Sequence, residues 1–196
     1  MTTVLCVDDN AELAEILSDL LEMLEFDAWT VPGGAECLAS LRNGRTKPDI
    51  ILLDIMMEPM DGWMTLRNIR NDPILMDIPV VMLTGKYPTL NDVTEYGALI
   101  DGYLMKPFAI ESISSEITDV LDRVRRREGV IDLARNNGAD EGMLVEYRGL
   151  SSIVHVTKHL MGLFKNRTFS HVSIDVTEKR LEALEKQLSD LRIRGN

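Results

Sequence analysis

The sequence predicts an α/β fold built on an open parallel sheet, and three observations carry that prediction. Short apolar runs alternate with amphipathic segments along the first two-thirds of the chain, the pattern that strand–helix–strand crossovers impose. The runs at 49–54 and 79–84 are apolar almost throughout, as strands are when helices cover both faces of a sheet. Four runs end in reactive residues: Val4 to Val7 in Asp8 and Asp9, Ile50 to Leu53 in Asp54, Val80 to Leu83 in Thr84, and Gly102 to Met105 in Lys106-Pro107. Parallel strands bring such ends to one edge of the sheet, where ligands bind.

Element by element, strands are predicted near 3–7, 27–31, 49–54, 79–84 and 101–105. Helices are predicted near 11–25, 34–43, 62–71 and 90–98, with a fifth from 110. Leu13, Ile16, Leu17, Leu20, Leu21 and Leu24 recur at helical spacing on one broad face, and Asn10 is placed to cap that helix. Strand-end carboxylates can also serve merely as caps, but three of them together with a hydroxyl and an ammonium form a site for a divalent cation and a phosphoryl group. Asp54 is the candidate nucleophile, because a carboxylate can accept a phosphoryl group as an acyl phosphate. Mg²⁺, a hard cation satisfied by oxygen ligands, would hold the clustered carboxylates together. Lys106 would pair with phosphoryl oxygens, and Thr84 would hydrogen-bond one of them.

These residues, in this order, resemble the receiver (CheY-like) domain of two-component response regulators over residues 2–124. Met60-Asp61-Gly62 after Asp54, and Tyr103 ahead of Lys106, add to the likeness. The resemblance implies a doubly wound, flavodoxin-like, five-stranded parallel sheet of order 2-1-3-4-5. It implies that Asp9 and Asp54 ligate Mg²⁺ directly, Asp8 through water, and Met56 through its backbone carbonyl. It implies a cis Lys106-Pro107 bond, and a switch in which Thr84 moves toward the phosphoryl group while Tyr103 turns into the vacated space. The fourth helix, fifth strand and fifth helix form the surface that changes. One departure stands out: Pro59 comes one place later than in the family, and Glu58 takes its position near the metal. Met56 and Lys86 occupy the two variable positions that tune acyl-phosphate hydrolysis, and neither orients a water well, which points to a long-lived phosphorylated state.

Charge divides the chain unevenly. Residues 1–124 carry 8 Lys and Arg against 22 Asp and Glu, whereas residues 125–196 carry 13 against 10. An acidic receiver half does not itself seek nucleic acid. No apolar run is long enough to span a bilayer, and no secretory leader is visible. Cys6 and Cys37 read as reduced thiols, which suits a cytoplasmic protein.

Residues 125–196 are expected to form a smaller, α-rich output or dimerisation region with a linker helix. The apolar stripe Ile113, Ile117, Val120, Val124, Ile131, Ala134 carries the fifth helix onward to a stop at Asn136-Asn137-Gly138, either rigidly or with a hinge at Gly129. A second amphipathic segment covers 150–164, and 169–174 reads as a strand. Asp175 with Glu178 forms a capping-box pattern, and Asp175-Val176-Thr177 resembles the point where sensory PAS domains pass into a signalling helix. Leu181, Leu184, Leu188 and Leu191 hold heptad positions. They fit either a coiled-coil homodimer, which would bring Arg180 opposite Glu185, or a single helix packed on 150–164. His155 and His159 stand at i, i+4 spacing, with His171 as the one further histidine; solvated or pairing histidines suit that pattern better than a metal site.

The expected function is that of a response regulator. Asp54 accepts phosphate from a sensor histidine kinase, and the C-terminal helices turn the change into dimerisation or docking of a downstream protein. The alternative is a phosphorylation-controlled transcriptional regulator with an unrecognised DNA-binding unit, supported only by the mildly basic tail. A metal-dependent phosphatase would want a second acid two residues after its nucleophile, where Met56 stands. No enzyme activity is expected beyond the chain's own phosphorylation and dephosphorylation, and no membrane partner.

Overall fold

In the computed structural model, which describes residues 1–43, 47–86, 88–163 and 174–194, the strands β1 (Thr3–Val7), β2 (Asp27–Val31), β3 (Ile50–Asp54), β4 (Val80–Thr84) and β5 (Gly102–Met105) form one sheet. All pairs are parallel, and the order is β2-β1-β3-β4-β5. β3 and β4 are buried along their whole length, which explains why they read as unbroken apolar runs rather than alternating ones. The register pairs Val7 with Leu53, so the next residues, Asp8 just past β1 and Asp54 at the end of β3, stand side by side at the sheet's edge.

Local chemistry sets the helix starts. α1 (Ala11–Met23) begins where the Asn10 side chain accepts the Leu13 N–H at 3.1 Å. α2 is Gly34–Arg42, and α3 (Gly62–Asn71) begins where Asp61 accepts the Met64 N–H at 2.7 Å. α4 (Leu90–Tyr96) opens on a reciprocal Thr89–Asp92 capping box, which satisfies two orphan N–H donors at once. α5 runs unbroken from Ile110 to Asn136. Gly129 lies inside it, with nothing within 4 Å of where a Cβ would stand, and the helix does not break there. The helix ends ahead of Gly138, whose φ of 81° lies in the left-handed region that favours glycine.

α6 (Glu141–Leu163) and α7 (Asp175–Arg194) complete the described chain. α6 starts well ahead of the predicted residue 150, because Asp140 caps it through the Met143 N–H at 3.2 Å and Leu144 and Tyr147 extend its apolar stripe. α7 begins at Asp175 itself, so that residue lies in the first turn instead of capping it. The strand expected at 169–174 and His171 lie outside the described residues, apart from Ile174, which is not in a strand. Among the described residues beyond 124 there is no strand.

The chain divides into two compact units: Met1–Tyr87 with Gly102–Leu121, and Pro88–Asp101 with Asp122–Asn196. The first holds the sheet. The second groups α4 with the end of α5 and with α6 and α7, around a core of Ile131, Ala134, Leu144, Tyr147, Leu184 and Leu188. The leucine repeat of α7 is therefore used within the chain. Leu184 and Leu188 are buried in a cluster with Ile131 and Ala134 of α5 and Leu144 and Tyr147 of α6, against which Leu150, at the start of the predicted 150–164 segment, also packs. Within the chain, Arg180 pairs with Glu146 of α6 at 2.6 Å.

Candidate functional site

β1 and β3 deliver the acidic residues. Asp8 and Asp54 are buried and Asp9 is exposed, and carboxylate oxygens of the three lie within 4.8 Å of one another. Each is held by a separate contact. Asp8 accepts the Asn10 N–H at 2.9 Å, and Asp9 accepts the Glu58 N–H at 3.2 Å. Asp54 accepts the Met56 N–H. The Met60-Asp61-Gly62 stretch closes this loop: a Cβ on Gly62 would sit 2.2 Å from the Asp54 carbonyl oxygen, so only glycine allows α3 to start so close to β3.

β5 delivers the counter-charge. The Nζ of Lys106 lies 2.7 Å from Asp8 and 3.0 Å from Asp54, and the peptide bond to Pro107 is cis. The Lys106 N–H donates to the Thr84 carbonyl at 2.8 Å, tying the end of β5 to the end of β4. Burial holds the Asp54 carboxyl above its ordinary value, opposed by the hydrogen bond and charge of Lys106 and reinforced by Asp8. Two buried carboxylates beside one ammonium leave a net negative pocket, which suits a divalent cation.

Thr84 is buried, and its hydroxyl donates to the Lys86 carbonyl at 2.8 Å and accepts the Lys86 N–H at 3.0 Å. Tyr103 is already buried, edge-on to Trp63 with ring centroids 6.4 Å apart. The structure thus brings Asp8, Asp9, Asp54 and Lys106 into one cluster and places Thr84 at the end of the neighbouring strand. The Met56 and Glu58 side chains point to solvent, whereas Met57 fills the core.

Sequence reasoning missed two contributors. One is the Glu58 backbone, whose N–H reaches Asp9. The other is Glu116, a buried acid on α5 whose Oε1 accepts the Tyr103 N–H at 3.3 Å at the outer edge of β5. Its signal was present: residue 116 sits on the apolar stripe of Ile113, Ile117 and Val120, where a solvated carboxylate has no place. His155 and His159 stand with ring centroids 6.2 Å apart. Burial, with the nearby Arg123, pushes His155 down to about 4. Among the described residues neither joins a group of three metal-ligating side chains.

The profile of the response regulator receiver domain matches residues 4–118. This chain belongs to that family. The N-terminal domain of a response regulator receiver protein from Methanoculleus marisnigri JR1 is 43% identical and superposes with a TM-score of 0.52, covering 62% of this chain and 97% of that one. The DNA-binding response regulator MtrA of Mycolicibacterium paratuberculosis is 36% identical over 64% of this chain and 52% of its own length. The 3',5'-cyclic-nucleotide phosphodiesterase regA of Dictyostelium discoideum is 28% identical over 97% of this chain but only 27% of its own. The chain thus spans about half of one curated relative and about a quarter of the other. Receiver domains of two-component systems accept phosphate from sensor histidine kinases and bind Mg²⁺ in the acidic pocket. Among the described residues no helix is long and apolar enough to cross a membrane.

Proposed function

We propose that Asp54 is the phosphoacceptor of this receiver, with a sensor histidine kinase as donor. The bond that forms joins an Asp54 carboxylate oxygen to phosphorus. The bond that breaks is the donor's P–N bond, and the imidazole leaves with the electron pair. The supporting observation is the Lys106 ammonium, within 3.0 Å of Asp54, which favours the ionised, nucleophilic carboxylate against the opposing effect of burial. In the product the same ammonium faces phosphoryl oxygens, and the Thr84 hydroxyl exchanges its Lys86 contacts for one of them.

Asp8, Asp9 and Asp54 fit Mg²⁺, since all three present hard oxygen donors within one small cluster; the Met56 carbonyl is assigned as the fourth protein ligand. When bound, the ion offsets charge on the incoming phosphoryl group. Thr84 and Tyr103 are the switch pair. We divide the chain functionally into a receiver at 1–124 and an output region at 125–196, in a cytoplasmic protein whose own chemistry is limited to its phosphorylation and dephosphorylation. The output is docking of a protein partner or a second copy. The DNA-binding alternative is disfavoured because Arg127, Arg135, Arg148, Lys158 and Arg180 are each paired with a carboxylate.

Incubation with Mg²⁺ and a small acyl-phosphate donor, read by phosphate-affinity electrophoresis, tests the assignment. Wild type becomes labelled and Asp54→Asn does not. Equal labelling of both removes Asp54 from the role.

A further inference from the structure

Three helices of the second compact unit border a cleft of about 280 Å³, close to the lower bound of small-molecule pockets. α5 offers Val130, Leu133 and Ala134 to it, and α7 offers Glu185, Leu188 and Ser189. Both sets are spaced i, i+3, i+4, so one face of each helix lines the cleft. Tyr147 of α6 supplies the remaining wall. Ala134 and Leu188 are buried, whereas Val130 and Leu133 are 38% and 41% exposed and form an apolar rim. Tyr147 is only 6% exposed, and among the described residues its hydroxyl has no hydrogen-bond partner. Burial pushes that hydroxyl up, and the Glu185 charge adds to the effect, so it stays protonated at neutral pH and can both donate and accept. A buried hydroxyl left unpaired is costly; whatever fills the cleft must satisfy it. Glu185 is exposed and, among the described residues, forms no ion pair.

We propose that this cleft binds a small organic ammonium with an apolar body, of the aryl-alkyl amine class. The ammonium meets the Glu185 carboxylate and donates to the Tyr147 hydroxyl, while the apolar body covers Val130 and Leu133. Oxygens from Glu185, Tyr147 and Ser189 match in number the three N–H donors of a primary ammonium. Charge decides the class. A carboxylate ligand would face Glu185 as a like charge. A neutral apolar ligand would strip water from Glu185 and return nothing to it. A divalent cation needs several oxygen ligands with more than one charge among them, and Glu185 is the one carboxylate lining the cleft. Occupancy bridges α5, α6 and α7, so the ligand also stabilises the helical unit that holds it.

Titration of the full chain with phenethylammonium, followed by amide NMR, tests this. Phenylpropionate serves as the anionic analogue, and methylammonium as the cation without an apolar body. The expected result is saturable shifts of the amides around Leu133, Tyr147 and Leu188, with phenethylammonium bound about tenfold more tightly than either control. Glu185→Gln, a change at an exposed position, should weaken the cation about fivefold, the upper range for a partly exposed ion pair. It should also bring the two aromatic probes to similar affinity. Tyr147→Phe, which keeps the ring and removes only the hydroxyl, should weaken binding about fivefold. Absence of saturable shifts with phenethylammonium in the wild type overturns the inference, as does phenylpropionate binding equally well. Affinity unaltered by Glu185→Gln overturns it too. If the same amides shift with protein concentration alone and light scattering gives a doubled mass, a second copy fills the cleft and the inference falls.

Discussion

The ammonium of Lys106 stands 3.0 Å from the carboxylate of Asp54, although the two residues come from the ends of β5 and β3, which are separated in the sheet by β4. A second contact at 2.7 Å, to Asp8, makes the lysine a shared counter-ion for two buried acids. One positive charge cannot fully compensate two negative ones, and the stability of the unphosphorylated chain should register the deficit.

Asp54→Asn should therefore raise the thermal midpoint at pH 7.5. Burial holds the Asp54 carboxyl above its ordinary value, so the folded chain binds that proton more tightly than the unfolded chain does. That contribution is fully present below the unfolded pKa and is lost as pH rises through the folded one. Ionised Asp54 thus costs stability at neutral pH, and asparagine removes the cost while Lys106 keeps Asp8. A gain of a few degrees is expected, since about 1 kcal/mol shifts the midpoint by roughly 2–4 °C in a chain of this size. Calorimetry from pH 7.5 down to pH 4 should show the gap narrowing; a gap that widens on acidification contradicts the sign.

Mg²⁺ affinity should depend on Asp9 far more than on the Glu58 side chain. Glu58 meets Asp9 through its backbone N–H, which Glu58→Ala retains, and its side chain is exposed. Titration followed by tryptophan fluorescence should show Asp9→Ala losing about tenfold or more, the scale expected when one charged ligand is removed. Glu58→Ala should stay within about twofold of wild type. The reverse ranking would mean that the displaced Pro59 has rebuilt the site around Glu58.

How much of this was legible in the sequence follows from where the forces are local. All five strands end where predicted, because each run stops where the chain must turn or offer a polar side chain to the site, and only β3, β4 and β5 begin one residue later. Asn10 capping α1 is likewise a contact between near neighbours. The clustering of Asp8, Asp9, Asp54 and Lys106 followed from parallel strands sharing an edge. What could not be read was the choice of partner. Leu184 and Leu188 fit a dimer seam and an intramolecular core equally well by spacing, and only the fold shows that within the chain they meet Ile131, Leu144 and Tyr147. Glu116 can be placed on a buried stripe by its spacing, but its partner and that of Arg127 cannot: the Tyr103 amide and Asp101 sit 13 and 26 residues away.

Because α7 spends its leucines within the chain, Leu188→Ala should destabilise the helical unit without altering oligomeric state. Leu188 is almost fully buried, and truncating such a side chain costs about 2–5 kcal/mol through lost transfer energy and the cavity left behind. Circular dichroism should show helix lost at a lower temperature, while light scattering at moderate concentration should give the wild-type mass. A drop in mass would show that the leucine seam also holds two copies together.

Duplex DNA should bind weakly. Non-specific affinity comes mainly from cations that neutralise phosphates and release counter-ions. The basic excess of residues 125–196 is small, 13 against 10, and much of it is already engaged. Arg135 lies 2.7 Å from Glu141, Arg148 2.5 Å from Glu128, and Arg180 2.6 Å from Glu146. The two exposed pairs, Arg135–Glu141 and Arg180–Glu146, add little stability, yet each of the three places a carboxylate beside the cation and cancels the field a phosphate would meet. The acidic receiver half, with 22 Asp and Glu against 8 Lys and Arg, repels the polymer further. Fluorescence anisotropy of the full chain on mixed-sequence duplex near physiological salt should give no saturation below about 10 μM, within or above the usual non-specific range. Submicromolar binding that weakens steeply with salt, in the presence or absence of beryllofluoride, would place a DNA-binding surface on α5, α6 or α7 that these ion pairs do not mask.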